Sequence, residues 1–178
     1  YPPYADEFAI AERTTGGPQP ELKPVLALEE ILRLQEIVRR VPVAPSVIHY
    51  ALNVVRSTRP STARRDEDAG RAAGRVALPA AAAELIDRMV TFGAGPRAVQ
   101  FLLLGAKVRA LLIGRHHVSR EDLQALAHPV LRHRIITNYA AEAEGYDTDR
   151  IIEHILESLP AGRGDESANA QFRQVFTS

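Results

Sequence analysis

The stretch TFGAGPRAVQF, Thr91 to Phe101, decides the fold. Gly93, Gly95 and Ala98 match the G-x-G-x-x-A spacing of a dinucleotide-binding turn, while Pro96 and Arg97 stand where a helix would begin. The first reading demands alternating strands and helices, the second an all-helical chain, so the flanking sequence arbitrates. A dinucleotide turn needs a buried strand ahead of its first glycine and an acidic residue about 20 positions on, at the end of a second strand. RMVTF before Gly93 is a poor strand candidate, and GRHHVS around residue 115 reads as a helix stop. Nicotinamide binding is therefore set aside. In the helix reading Gly95 takes the cap position, Pro96 the first helical position, where its missing N–H costs nothing, and Arg97 the second. A cation there opposes the helix dipole by roughly 0.3–1 kcal/mol. The placement makes sense where an anion joins it, because free backbone N–H groups and a guanidinium together make a phosphate site. The plainer alternative is an Arg97 paired with a nearby carboxylate, and the residues alone leave both open.

Working outward, the apolar spacing is helical almost throughout. Pro96 to Ile113 is the most apolar run; Val99, Leu102, Leu103, Ala106, Ala110 and Ile113 line one side, and Phe101, Leu104 and Leu112 cover much of the rest. A helix apolar nearly all round belongs at the centre of a bundle, and Gly114 stops it in the usual C-terminal position. Upstream, Pro79 suits the first turn of a helix through AAAAELIDRMV. Tyr4 to Arg13 forms a short helix ended by TTGGPQP. In VLALEEILRLQEIVRRV, Leu28, Ile31, Leu34, Val38 and Val41 share one helical face. Ser46 reads as the N-cap of a third helix that carries Val47, Ala51, Val54 and Val55 and ends near Pro60. Downstream, Ser119 caps HVSREDLQALA, with Asp122 completing a box-like pair. Pro129 interrupts, extended chain follows, and Thr148 to Leu159 forms a last amphipathic helix.

Two stretches differ. Residues 61–78, rich in charged and small side chains, bury too little to offset their ordering entropy and read as a mobile insertion. Residues 161–178 read as a flexible tail. The expected architecture is an all-α helical bundle over 1–160.

The 178 residues suit one domain or slightly more. Their formal net charge of zero gives no general electrostatic reason to coat nucleic acid or an acidic membrane. There is no cysteine, hence no disulfide and no thiolate metal site. No apolar run approaches the ~20 residues that span a bilayer, and no signal peptide is visible, so a cytoplasmic protein is expected. The chain opens at Tyr1, and YPPYADEF reads as a mid-protein junction. The six histidines do not suggest a metal: His116 and His117 are adjacent and diverge, and His128 and His133 are separated by Pro129. GRHHVSREDL resembles a helix-turn-helix corner, and Arg115, His116, His117, Arg120, Arg132 and Arg134 make a local basic cluster. A stand-alone interaction or DNA-binding module is thus the alternative function class, although overall neutrality opposes nucleic acid.

GAGPRA followed by an apolar helix, then GRHHVSREDLQALAHPVLRHRI, resembles the C-terminal lid of the MoxR family of AAA+ ATPases. YPPYADEFAIAERTTGG is similar to that family's passage into the lid, and EEILRLQEIVRRVPV, NVVRSTRP and NYAAEAEGYDTDRIIEHILESLP extend the likeness over about residues 1 to 160. The resemblance implies a lid of AAA+ type, packed beside a nucleotide held by an N-terminal AAA+ core absent from this chain. It implies ATP and magnesium as cofactors, a homo-oligomeric ring, a chaperone-like remodelling or maturation role, and a partner with a von Willebrand A domain. Arg97 resembles the sensor-2 arginine, flanked by Gly95 and Pro96 on the nucleotide side. The sequence departs from the family at Ala27, where a polar cap is usual, which would shorten the next helix, and in the length of 61–78. It contains no G-x-x-x-x-G-K-[ST] motif and no apolar strand ending in Asp-Glu. The chain by itself is therefore expected not to hydrolyse ATP.

Overall fold

The computed structural model describes residues 1–17, 21, 23–63 and 77–159. The insertion expected at 61–78 lies mostly outside these, and the tail expected at 161–178 wholly so. The described elements are α1 (Tyr4–Thr15), α2 (Leu28–Arg40), α3 (Pro45–Ser57), a 3-10 turn (Ser61–Ala63), α4 (Ala80–Met89), β1 (Val90–Phe92), α5 (Pro96–Leu112), α6 (Arg120–Leu131), β2 (Ile136–Thr137), α7 (Tyr139–Ala143) and α8 (Thr148–Ser158). Among the described residues the fold is all-α apart from one short ribbon. The chain divides into two units, Tyr1–Gln35 and Glu36–Ser178, with the division inside α2.

In the first unit neither α1 nor the start of α2 buries a residue. Tyr4, Phe8 and Ile10 are exposed on α1, and Leu28, Ile31, Leu32 and Leu34 on α2. The missing polar cap at Ala27 does not shorten α2. Glu30 reaches back and its Oε2 accepts the Ala27 N–H at 2.8 Å, the glutamate half of a capping box.

The second unit holds the core. α5 packs chiefly on α6 and α3; α4 packs on α7 and α8, and α8 also meets α3 and α6. Val54, Val55, Ile86, Met89, Leu102, Leu123, Leu131, Ile151, Ile152 and Ile155 are almost completely enclosed. Deletion of such side chains costs about 2–5 kcal/mol each, so burial of these faces, more than helix propensity, holds the bundle together.

Four local expectations are corrected. α3 begins two residues earlier than a cap at Ser46 suggests, with Ala44 in the cap position and Pro45 at the first helical position. Pro129 does not interrupt its helix but lies inside α6. The carbonyl it leaves without a donor is that of Ala125, and both residues are exposed, so that carbonyl is open to solvent. RMVTF does contain a strand: β1 pairs antiparallel with β2, Val90 opposite Thr137 and Phe92 opposite Ile136, with an irregularity between. It is a three-residue edge ribbon and not the buried parallel strand a dinucleotide fold requires. Finally, α5 is central without being enclosed. It buries Ala98, Val99, Leu102, Ala106 and Ala110 but exposes Phe101, Leu104, Val108 and Leu112, the last at 81%.

Candidate functional site

The loop from β1 to α5 sets the position of Arg97. Gly95 is the N-cap, with φ −84° and ψ 178°, and Pro96 opens the helix. No side chain caps this end and no acidic residue lies in the first turn. The Ala98 N–H bonds back to the Gly95 carbonyl at 3.0 Å. Gly95, Pro96 and Arg97 are exposed, while Ala98 and Val99 immediately after them are buried. Arg97 makes no hydrogen bond or ion pair with any described residue. The three residues predicted to form the site are therefore together on one exposed helix end. Among the described residues the carboxylate-paired alternative for Arg97 has no partner.

Behind this exposed end the loop is held firmly. The Ala94 N–H donates to Thr58 Oγ1 at 2.8 Å, and that hydroxyl donates to the Val55 carbonyl at 2.7 Å. Arg59 Nε donates to the Ala94 carbonyl at 2.9 Å. Thr58 is 0% exposed and Ala94 1%. Gly93 lies directly on this backbone: a Cβ there would stand 2.4 Å from the Thr58 carbonyl oxygen and 2.6 Å from Arg59 Cα. In the sequence STRP reads as the end of α3 and as part of the family likeness, and neither reading ties it to the loop before α5. The available signal was a threonine closing an apolar helix, where its hydroxyl can bond back to its own last turn.

On the other side of α5 a second polar centre organises its C-terminus. Asp122 is 0% exposed and accepts from Arg109 and Arg115, each at 2.5 Å. It also accepts the Ser119 backbone N–H at 2.9 Å, completing the capping box predicted for α6. Burial pushes its carboxyl up, but the Ser119 N–H and the two guanidinium groups outweigh burial and hold it below the usual carboxylate range. Glu121 is likewise lowered, mainly through the Ser119 side chain. Burial pushes the Tyr50 phenol up, opposed by the Gln124 hydrogen bond to its oxygen at 3.0 Å and by the Arg120 guanidinium, 5.1 Å from the ring centroid.

The basic cluster expected around GRHHVSREDL does not form one cationic face. Arg115 serves Asp122, Arg120 covers Tyr50, Arg132 pairs with Asp149 at 3.0 Å, and Arg134 lies over Phe101. His128 sits in α6, where its Nδ1 meets Asp149 Oδ1 at 3.2 Å. His133 meets the Arg134 side chain. Among the described residues no three His, Asp or Glu side chains gather as a metal site requires. None of the described helices is long and apolar enough to cross a membrane.

Comparison with known proteins places this geometry. Residues 82–155, from α4 through most of α8, match the AAA lid domain. The chain is 30% identical over 159 residues to the chaperone MoxR1 of Mycobacterium tuberculosis, covering 89% of this chain and 37% of that protein. It is 36% identical over 77 residues to the protein MoxR of Methylorubrum extorquens, covering 43% of this chain and 22% of the relative. A crystal structure of a candidate ATPase from Cytophaga hutchinsonii superposes with a TM-score of 0.67 at 27% identity, over 90% of this chain and 44% of that one. The chain thus spans well under half the length of these relatives. A family match running from α4 to α8, joined to 30% identity with the chaperone MoxR1 over 89% of the chain, identifies it as a helical lid region of the MoxR family of AAA+ proteins.

Proposed function

We propose that residues 1–160 act as the lid of an ATP-hydrolysing AAA+ machine, joined to an N-terminal core that carries the phosphate cradle and the magnesium ligands. In this reading Arg97 reaches the terminal phosphates of ATP, beside Gly95 and Pro96. It stabilises negative charge in the phosphoryl-transfer transition state and couples hydrolysis to movement of the lid. The observation that carries the reading is Arg97 itself: an exposed guanidinium at an uncapped helix N-terminus, without an acidic partner among the described residues. Dipole and guanidinium both favour an anion there. Magnesium-bound ATP, held mainly by the core, is the cofactor. A homo-oligomeric ring, a chaperone-like role in remodelling or maturing a target, a von Willebrand A domain partner and a cytoplasmic setting complete the proposal. Similarity to a protein named as a chaperone supports the remodelling role.

The test is ATP turnover by the polypeptide that joins the core to this chain, wild type against Arg97→Ala, with nucleotide affinity measured alongside. Turnover falls about 10²–10³-fold if Arg97 supplies one transition-state charge. Unchanged turnover would return Arg97 to a solvated surface residue and leave the lid with packing roles alone.

A further inference from the structure

The loop that leads to Arg97 is fastened at its start and at its centre, by different parts of the fold. At its N-terminal end β1 is tied to β2, and the Asn138 N–H donates to the Met89 carbonyl at 2.9 Å. At its centre both backbone polar groups of Ala94 are taken by one dipeptide: Thr58 accepts its N–H and Arg59 donates to its carbonyl. Thr58 belongs to the C-terminal end of α3, 36 positions away from Ala94 in sequence. Its hydroxyl has no rotational freedom, because it donates to Val55 while accepting from Ala94. The close approach at Gly93 leaves no room for the loop to slide toward α3. Arg97 follows Ala94 by three residues, and only Gly95 and Pro96 intervene.

We propose that Thr58 and Arg59 are positioning residues for Arg97: they fix the loop from which α5 starts, and through it the direction in which the Arg97 guanidinium leaves the lid. This rests on the phosphate-reaching role of Arg97 proposed above. Neither residue touches the nucleotide. Their effect is geometric, and a displacement of about 1 Å at a charge-stabilising group lowers turnover by up to about 10²-fold.

The experiment is a double-mutant cycle on the core-plus-lid polypeptide, reading kcat and KM for ATP together with thermal unfolding. Thr58→Val keeps shape and removes the hydroxyl; Thr58→Ser keeps the hydroxyl. Thr58→Val lowers kcat about 10-fold or more, Thr58→Ser restores it to near wild type, and in the Arg97→Ala background Thr58→Val has no further effect on kcat. Arg59→Lys, which keeps the charge but loses the Nε–H, carries the same test should Thr58→Val fail to fold. A Thr58→Val or Arg59→Lys enzyme with wild-type kcat would overturn the proposal. So would an equal loss in the wild-type and Arg97→Ala backgrounds, which marks a general structural defect. Wild-type turnover by Arg97→Ala alone is a different failure: it removes the phosphate reading and this proposal with it.

Discussion

Gly93 shows how a single side chain can be forbidden by its neighbours. The Cβ of Gly93→Ala would meet the backbone of Thr58 and Arg59, and neither can swing aside as a long side chain would. Overpacking of this kind costs about 1–3 kcal/mol, and chemical denaturation of Gly93→Ala is expected to show a loss at the upper end of that range. Asp122 is the other decisive residue. Asp122→Asn leaves Arg109 and Arg115 beside a neutral amide, both arginine side chains being about one-third exposed. Water partly rescues them, so the expected loss is about 2–3 kcal/mol, short of the 3–5 kcal/mol of a fully buried pair. The pH dependence follows from the lowered carboxyl. A group depressed in the folded state contributes stability that is present above its unfolded pKa and disappears as pH falls through the folded value. Wild-type stability should therefore decline on acidification below the ordinary aspartate range, and the Asp122→Asn protein should decline less steeply over the same interval. Parallel profiles would remove Asp122 from this role.

Among the elements, the β1–β2 ribbon and α7 depend on one asparagine. Asn138 Oδ1 accepts the Ala141 N–H at 3.1 Å and caps α7, while its Nδ2 donates to the Arg88 carbonyl at 2.7 Å. Asn138→Ala is expected to cost about 1–2 kcal/mol, read as a shift in denaturation midpoint. By contrast Leu112→Gln on the exposed stripe of α5 should change the stability of this chain by less than about 0.5 kcal/mol. Helices with strong apolar spacing were legible in sequence: α2, α4, α5 and α8 lie where their periodicity put them, while α6 runs on past Pro129. The cap of α5 at Gly95 and the box at Ser119 and Asp122 were legible too, since both follow from short-range backbone chemistry. What sequence did not yield was long-range. β1 and β2 are too short to show alternation and exist because the two segments meet across 46 residues. α7, a helix of five residues, owes its start to Asn138. The apparently all-round apolar character of α5 misled because sequence cannot say which side of a hydrophobic helix lacks a partner.

For the whole molecule, the site residues and the fold have different sources. The bundle explains why Gly95, Pro96 and Arg97 stand exposed at the end of a half-buried helix: Ala98 and Val99 anchor the same turn in the core. Arg97 was visible in sequence because its place after Gly-Pro is a local signal. Thr58 and Arg59 were not, because they reach the loop only after α3 has packed against α5. Arg97 thus projects from a held loop without a partner among the described residues, and the central claim is that this cation meets phosphate. The most direct test is the structure of the core-plus-lid polypeptide with a non-hydrolysable ATP analogue and magnesium. The account predicts the Arg97 guanidinium about 2.7–2.9 Å from a terminal phosphate oxygen, the distance of a charge-assisted hydrogen bond. An ordered nucleotide with Arg97 turned to solvent, or paired with a carboxylate of the core, would contradict it.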